Sequence, residues 1–148
     1  PVAMAVAAWI KHDKGLLKDA VYVGTSVAGA FVVTYGMKYL VDRERPYDKY
    51  PDRVHAYSHE GSPSFPSGHT AAAFMAATLL YKEYGFKGYW IGLVAYAAAI
   101  VTGFTRILNN RHWLFDVIIG AALGILLTDL AFRLVQLIFK DRGLIQHK

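Results

Sequence analysis

The chain has 148 residues, 55% of them hydrophobic, a formal charge of +5 and no cysteine. The apolar share exceeds the ~45–50% of ordinary soluble domains, and the length suits one domain of usual size. The lack of cysteine excludes a disulfide framework and a thiolate metal site. Without an Arg-rich arm or a block of five like charges, the basic balance does not point to nucleic acid.

The first apolar segment, Pro1 to Ile10, stops at Lys11 and is too short to cross a bilayer, which takes ~20 apolar residues. It reads as the tail of a helix. Residue 1 is proline and no signal-peptide pattern follows, so the N-terminus is expected to be processed or truncated. Ala20 to Met37 is a run of eighteen residues without a charge, and Phe65 to Tyr81 and Gly88 to Thr105 are similar runs. The last begins near His112 and reaches Phe139, broken only by Asp116, Asp129 and Arg133. Long segments that are hydrophobic all round read as membrane spans or as fully buried helices. Four of them in 148 residues leave little polar surface, which favours the membrane over a soluble Ala-rich bundle.

Small residues recur at Gly24, Ser26, Ala28, Gly29, Ala71 to Ala73, Ala97 to Ala99, Gly120, Ala121 and Gly124. In lipid they let helix backbones approach closely. The expected fold class is therefore all-α, a polytopic transmembrane helix bundle, with residues 1–148 forming a single domain. Asp129 and Arg133, four apart, are expected to pair on one helix face.

The connectors alternate in character. Lys11 to Asp19 is short and charged, and Lys82 to Lys87 turns around Gly85. Arg43 to Pro63 is the one long loop, and its Pro46, Pro51, Gly61 and Pro63 argue against a helix. Arg106 to Arg111 is a short polar turn with Asn109-Asn110. With an up-down helix order, the long loop and the Arg106 turn share one side of the membrane. The other side carries Lys11, Lys14, Lys18, Lys82, Lys87, Lys140, Arg142 and Lys148, against Arg43, Lys49, Arg53 and Arg111 on the first once the clustered cations Lys38, Arg45 and Arg106 are set aside. The positive-inside tendency puts the Lys-rich side in the cytoplasm and the long loop toward the periplasm or exterior.

Three polar clusters on that outer side have no packing rationale: Lys38 with Arg45-Pro46, Pro66-Ser67-Gly68-His69, and Thr105-Arg106 with His112 and Asp116. Taken singly each has a plain explanation. Lys38 would be a snorkelling lysine, Ser67 an N-cap, and His112 with Asp116 a charge pair at a helix start. Together they supply cations, two imidazoles, a carboxylate and free backbone N–H groups at a helix start, which suits an anion such as a phosphate ester. A carboxylate that holds one imidazole N–H leaves the other nitrogen free to attack. A metal pair at His112 and Asp116 fits less well among so many cations.

The pattern Lys-x6-Arg-Pro, then Pro-Ser-Gly-His, then a hydroxyl residue with Arg-x5-His-x3-Asp resembles the type 2 phosphatidic acid phosphatases. Their superfamily includes bacterial acid phosphatases and vanadium-dependent haloperoxidases. The resemblance runs over roughly residues 20–139, with Thr105 standing where that family usually has serine. It implies a core of the phosphatase and vanadium-haloperoxidase type, with His112 as the nucleophile that forms a phosphohistidine. Asp116 would orient His112, and His69 would protonate the leaving oxygen. Lys38, Arg45 and Arg106 would hold the phosphoryl oxygens, assisted by Ser67, Gly68 and Thr105.

The resemblance further implies no metal and no cofactor, a lipid phosphate as partner within the membrane, and no nucleic acid. Candidate substrates are phosphatidic acid, phosphatidylglycerol phosphate, an isoprenyl diphosphate or a lipid A phosphate. Two alternatives stand beside hydrolysis: transfer of the phosphoryl group to another lipid, and a non-catalytic lipid-binding scaffold. Arg43 and Glu44 are expected to be a solvated pair, and the long loop with Tyr47, Tyr50, Tyr57, His55 and His59 a lid or head-group selector. Oligomeric state has no signal in the sequence.

Overall fold

A computed structural model describes residues 6, 10, 14–56 and 58–141. Among them every regular element is a helix. The order is α1 (Lys14–Val41), the short α2 (Pro46–Lys49), α3 (Gly68–Tyr84), a 3-10 turn (Gly85–Lys87), α4 (Tyr89–Leu108) and α5 (Leu114–Asp141). Most of the segment at residues 1–10, Tyr57, Lys11, Arg142 and Lys148 lie outside the described residues.

Three stretches, Gly15–Lys49, Tyr89–Leu108 and Leu114–Ile138, are long and apolar enough to cross a membrane. The third apolar run, expected as a span of its own, differs. Phe65, Pro66 and Ser67 precede the helix, and α3 has 17 residues. Its rise is ~25 Å against a hydrocarbon core of ~30 Å. This shorter helix is the central one, packed against α5, α4 and α1.

The distribution of side chains is inverted relative to a water-soluble bundle. Ser26, Thr34, Thr70, Thr78 and Thr128 are buried, whereas Leu93, Val94, Ile100, Val101, Leu126 and Leu130 are exposed. Two of the buried hydroxyls find partners within the bundle: Thr78 shares a hydrogen bond with Tyr96 at 2.9 Å, and Thr128 donates to the Gly124 carbonyl at 2.7 Å, whereas the Ser26 hydroxyl has no partner among the described residues. Apolar residues outside and small polar ones inside are what hydrocarbon surroundings require, since no water competes for the interior hydrogen bonds.

Close approach of α3 and α5 depends on two glycines. A Cβ at Gly124 would lie 2.4 Å from the Ala71 carbonyl oxygen, and one at Gly120 would lie 2.6 Å from that of Ser67. The contact brings the start of α3 against the start of α5, where the Ser67 N–H donates to the Asp116 carbonyl at 3.0 Å.

The two ends of the bundle differ. At one end Asp129 pairs with Arg133 as its spacing predicts, at 2.7 Å, and also with Lys82 at 2.6 Å. Tyr22 stacks on Phe132 nearby with ring centroids 4.1 Å apart. At the other end the chain reverses through Asp42 (φ 44°) after α1 and Asn110 (φ 56°) after α4. Asp and Asn tolerate this left-handed backbone better than other residues with a side chain. The Asn110 reversal lets α4 deliver Arg106 and α5 deliver Asp116 to the same place.

Candidate active site

Helix ends build the site. The last turn of α1 carries Lys38, the residue before α2 is Arg45, α3 starts at Gly68-His69, and the last turn of α4 carries Arg106. Lys38, Gly68, His69 and His112 line one cavity of about 360 Å³ with Glu60 and Ser62. From there the cavity continues between α1 and α3 along Val27, Phe31, Tyr35 and Met75.

His112 is buried and lies two residues before α5 rather than within it. Its Nδ1 is 2.7 Å from the Ser64 carbonyl oxygen. A carbonyl can only accept, so this contact places a proton on Nδ1 and leaves Nε2 with its lone pair. Nε2 in turn lies 3.4 Å from an Arg45 terminal nitrogen. Burial pushes the His112 imidazole below its ordinary pKa; Asp116 opposes this and Arg45 and Lys38 reinforce it.

Asp116 is fully buried, and its Oδ2 is 3.7 Å from His112 Nδ1, an ion-pair distance rather than a hydrogen bond. The four-residue spacing suggests a direct hydrogen bond on a shared helical face. That face does not form because the helix starts at Leu114. The Asp116 carboxylate instead accepts from the Trp113 backbone N–H at 2.9 Å and from Arg43 at 2.8 Å. Arg43 is thus an ion-pair partner of Asp116 and not a solvated partner of Glu44. Glu44 enters only through its carbonyl, which accepts from the Trp113 indole at 2.9 Å.

Arg45 is 1% exposed and holds the long loop in place. It donates to the Ser62 carbonyl at 2.9 Å and to the Arg111 carbonyl at 2.8 Å. Lys38 donates to the Pro63 carbonyl at 2.5 Å. Glu60 draws the arginines together: its carboxylate lies 2.9 Å from Arg45, 2.5 Å from Arg106 and 3.1 Å from Arg111. Burial raises the Glu60 carboxyl, but Arg45 and Arg106 outweigh it and hold the group below the ordinary carboxylate range.

Two expected phosphate contacts stand apart. The Ser67 hydroxyl is buried, shares a hydrogen bond with the Thr70 hydroxyl at 2.8 Å and accepts from the Thr70 backbone N–H, the capping role that its position suggests. Thr105 is exposed, and its hydroxyl donates to the Thr102 carbonyl of its own helix at 2.7 Å. In the long loop His59 packs edge-on against Tyr47, and the Tyr47 hydroxyl accepts from the Glu60 backbone N–H at 2.9 Å. Among the described residues no three metal-ligating side chains gather at one point.

Glu60, Arg111 and Arg43 carry no motif signal. The arrangement can bind an anion with several oxygens beside an unprotonated imidazole nitrogen.

Residues 19–140 match the family model described as the PAP2 superfamily. The chain is 51% identical over 78 residues to a lipid A 1-phosphatase of Porphyromonas gingivalis, covering 53% of this chain and 18% of that protein. It is 26% identical over 134 residues to the undecaprenyl-diphosphatase BcrC of Bacillus subtilis, covering 90% of this chain and 66% of that protein. The chain thus spans less than two thirds of the length of either relative. Its structure is similar to the crystal structure of a transmembrane PAP2 type phosphatidylglycerolphosphate phosphatase from Bacillus subtilis. The TM-score is 0.66 at 25% identity, over 99% of this chain and 69% of that one.

Proposed function

Since the chain belongs to the PAP2 superfamily, we propose that it is an integral membrane lipid phosphatase acting through a phosphohistidine on His112. The observation that carries this reading is the tautomer of His112. Ser64 holds the Nδ1 proton, so the Nε2 lone pair is left beside the guanidinium of Arg45.

In the first step the Nε2 lone pair attacks phosphorus and the bond to the lipid oxygen breaks. His69, on the first turn of α3 and lining the same cavity, gives its proton to the departing oxygen. In the second step His69 takes a proton from water, which attacks the phosphohistidine and releases inorganic phosphate. Phosphoryl transfer spreads charge over the equatorial oxygens, so the work falls to positioning and fixed positive charge. Lys38, Arg45 and Arg106 supply that charge, and the Gly68 amide at the start of α3 adds a backbone donor. Arginine can grip two oxygens at once. These cations take the place of a metal, and the reaction is metal-independent in this reading.

Asp116 acts on His112 electrostatically across 3.7 Å and fixes the chain entering α5. Ser67 shapes the start of α3 rather than touching the phosphate. The apolar cavity along Val27, Phe31, Tyr35 and Met75 supports a lipid that reaches the site from the bilayer. The relatives' names point to lipid A, isoprenyl and glycerophospholipid phosphates as the substrates to assay. The site opens toward the periplasm or exterior, on the charge asymmetry of the loops.

Phosphate release from these lipids in detergent, with and without EDTA, tests the proposal. Release is expected to survive EDTA, to be inhibited by vanadate and to be lost in His112→Ala, in which no radiolabelled phosphoenzyme can be trapped. Full activity in His112→Ala would sink the mechanism, and strong dependence on added magnesium would sink the metal-free site.

A further inference from the structure

The reaction just described has no use for Glu60. Yet its carboxylate sits at the focus of the arginines, with one oxygen on Arg106 and Arg111 and the other on Arg45. Arg45 and Arg106 are two of the three side chains assigned to the phosphoryl oxygens. Asp116, the carboxylate beside His112, is tied to Arg43 and to the backbone of Trp113. The remaining acceptors around Arg45 are neutral: the carbonyls of Ser62, Pro63 and Arg111, the Ser62 hydroxyl and His112 Nε2.

The arginines that Glu60 pairs with keep donors it does not use. The Nε–H groups of Arg106 and Arg111 are buried and have no hydrogen-bond partner. Buried polar groups are usually paired, so an orphaned pair in one cluster calls for an explanation. A carboxylate offers two oxygens in one plane, whereas a phosphoryl group offers three in a pyramid. The arginine cluster therefore has more donors than Glu60 can satisfy, in the manner of a site shaped for a larger anion.

Glu60 is also placed to leave. It is 25% exposed, and it lies in the connection between α2 and α3, whose described residues between Tyr50 and Ser67 form no helix. A carboxylate and a dianionic phosphate in the same cradle would repel each other, so the two exclude one another.

We propose that Glu60 is an internal competitor of the phosphate. Its carboxylate takes the guanidinium groups of Arg45, Arg106 and Arg111, swings away when a phosphoryl group claims those donors, and returns to expel inorganic phosphate. The proposal rests on the phosphatase reading of the site. It differs in sign from a purely structural role. A strut that holds the arginines in position would bind phosphate more weakly once removed; a competitor would bind it more tightly.

The test uses the full chain in detergent, with inorganic phosphate and orthovanadate as inhibitors of lipid phosphate turnover. Glu60→Gln, which removes the charge and keeps the shape, should lower the inhibition constant of inorganic phosphate by about tenfold or more, because the competent population is no longer taxed. An unchanged or raised constant overturns the proposal. If phosphate and vanadate inhibit neither protein, the phosphatase reading falls and this proposal with it. Hydrogen exchange on the unmutated protein gives a second readout that does not depend on the variant folding. Vanadate should speed exchange of the amides at residues 58–62, and slower or unchanged exchange there overturns the proposal.

Discussion

Substituting Gly120 by alanine tests how finely the helix contact sets the chemistry. Gly120 touches no group of the site, yet an added Cβ would lie 2.6 Å from the Ser67 carbonyl oxygen. Ordinary contact begins at 3.4 Å, so α3 and α5 must part by about 0.8 Å. The obstacle is backbone, and no side-chain rotation relieves it. Overpacking of this kind costs about 1–3 kcal/mol of stability.

The displacement falls where it matters. Ser67 precedes Gly68 and His69 on one helix, and Gly120 lies one turn beyond Asp116 on the other, so separation pulls His69 away from His112. A misplacement near 1 Å in a reacting geometry costs on the order of 100-fold in rate. Gly120→Ala is therefore expected to lose about two orders of magnitude in kcat for phosphate release while remaining folded. Gly36→Ala is the control, since a Cβ there meets nothing within 4 Å. Unfolding in SDS and turnover in mild detergent read the two effects separately. Wild-type turnover in Gly120→Ala would refute the claim that this contact positions the two histidines.

Two further outcomes follow from the site. Arg45→Lys keeps the charge but cannot reach the Ser62 and Arg111 carbonyls and Glu60 together, leaving buried acceptors unpaired. Each such group costs about 1–3 kcal/mol, so a clear fall in thermal stability and in kcat/KM is expected, and parity with the parent would contradict the assigned role. The pH profile depends on His112, whose pKa lies below the ordinary 6.5. The attacking form is unprotonated, so the acid limb of kcat/KM should be centred below 6.5. An acid limb centred above 6.5 would contradict His112 as nucleophile.

The helical class and the three clusters were legible because each rests on local pattern: long apolar runs with few or no charges, and fixed spacings between polar groups. The partners of those groups were not. Ser64 orients His112 through a backbone carbonyl, which every residue possesses and no sequence can flag. The expected His112–Asp116 hydrogen bond assumed helix at both positions, and the helix begins between them at Leu114. Glu60 lies in an aperiodic loop forty-six residues before Arg106, where spacing carries no information about proximity. Arg43 sits next to Glu44 in sequence, yet the chain turn after α1 sends it across to Asp116. The third apolar run predicted a span, but Ser67 caps the helix late and leaves it short.

The inverted side-chain distribution has a thermodynamic consequence. In a soluble domain, unfolding exposes apolar surface to water and the heat capacity rises by ~12–15 cal/mol/K per residue. Here residues such as Leu93, Ile100 and Leu126 face outward already, and separating the helices in lipid or detergent exposes mainly small residues and hydroxyls. The heat-capacity change should be small and the stability curve correspondingly flat, without the cold-side loss that hydrophobic burial in water produces. Calorimetry in detergent would show a nearly temperature-independent enthalpy, and this bundle would be weakened by heat alone rather than squeezed from both ends of the temperature scale.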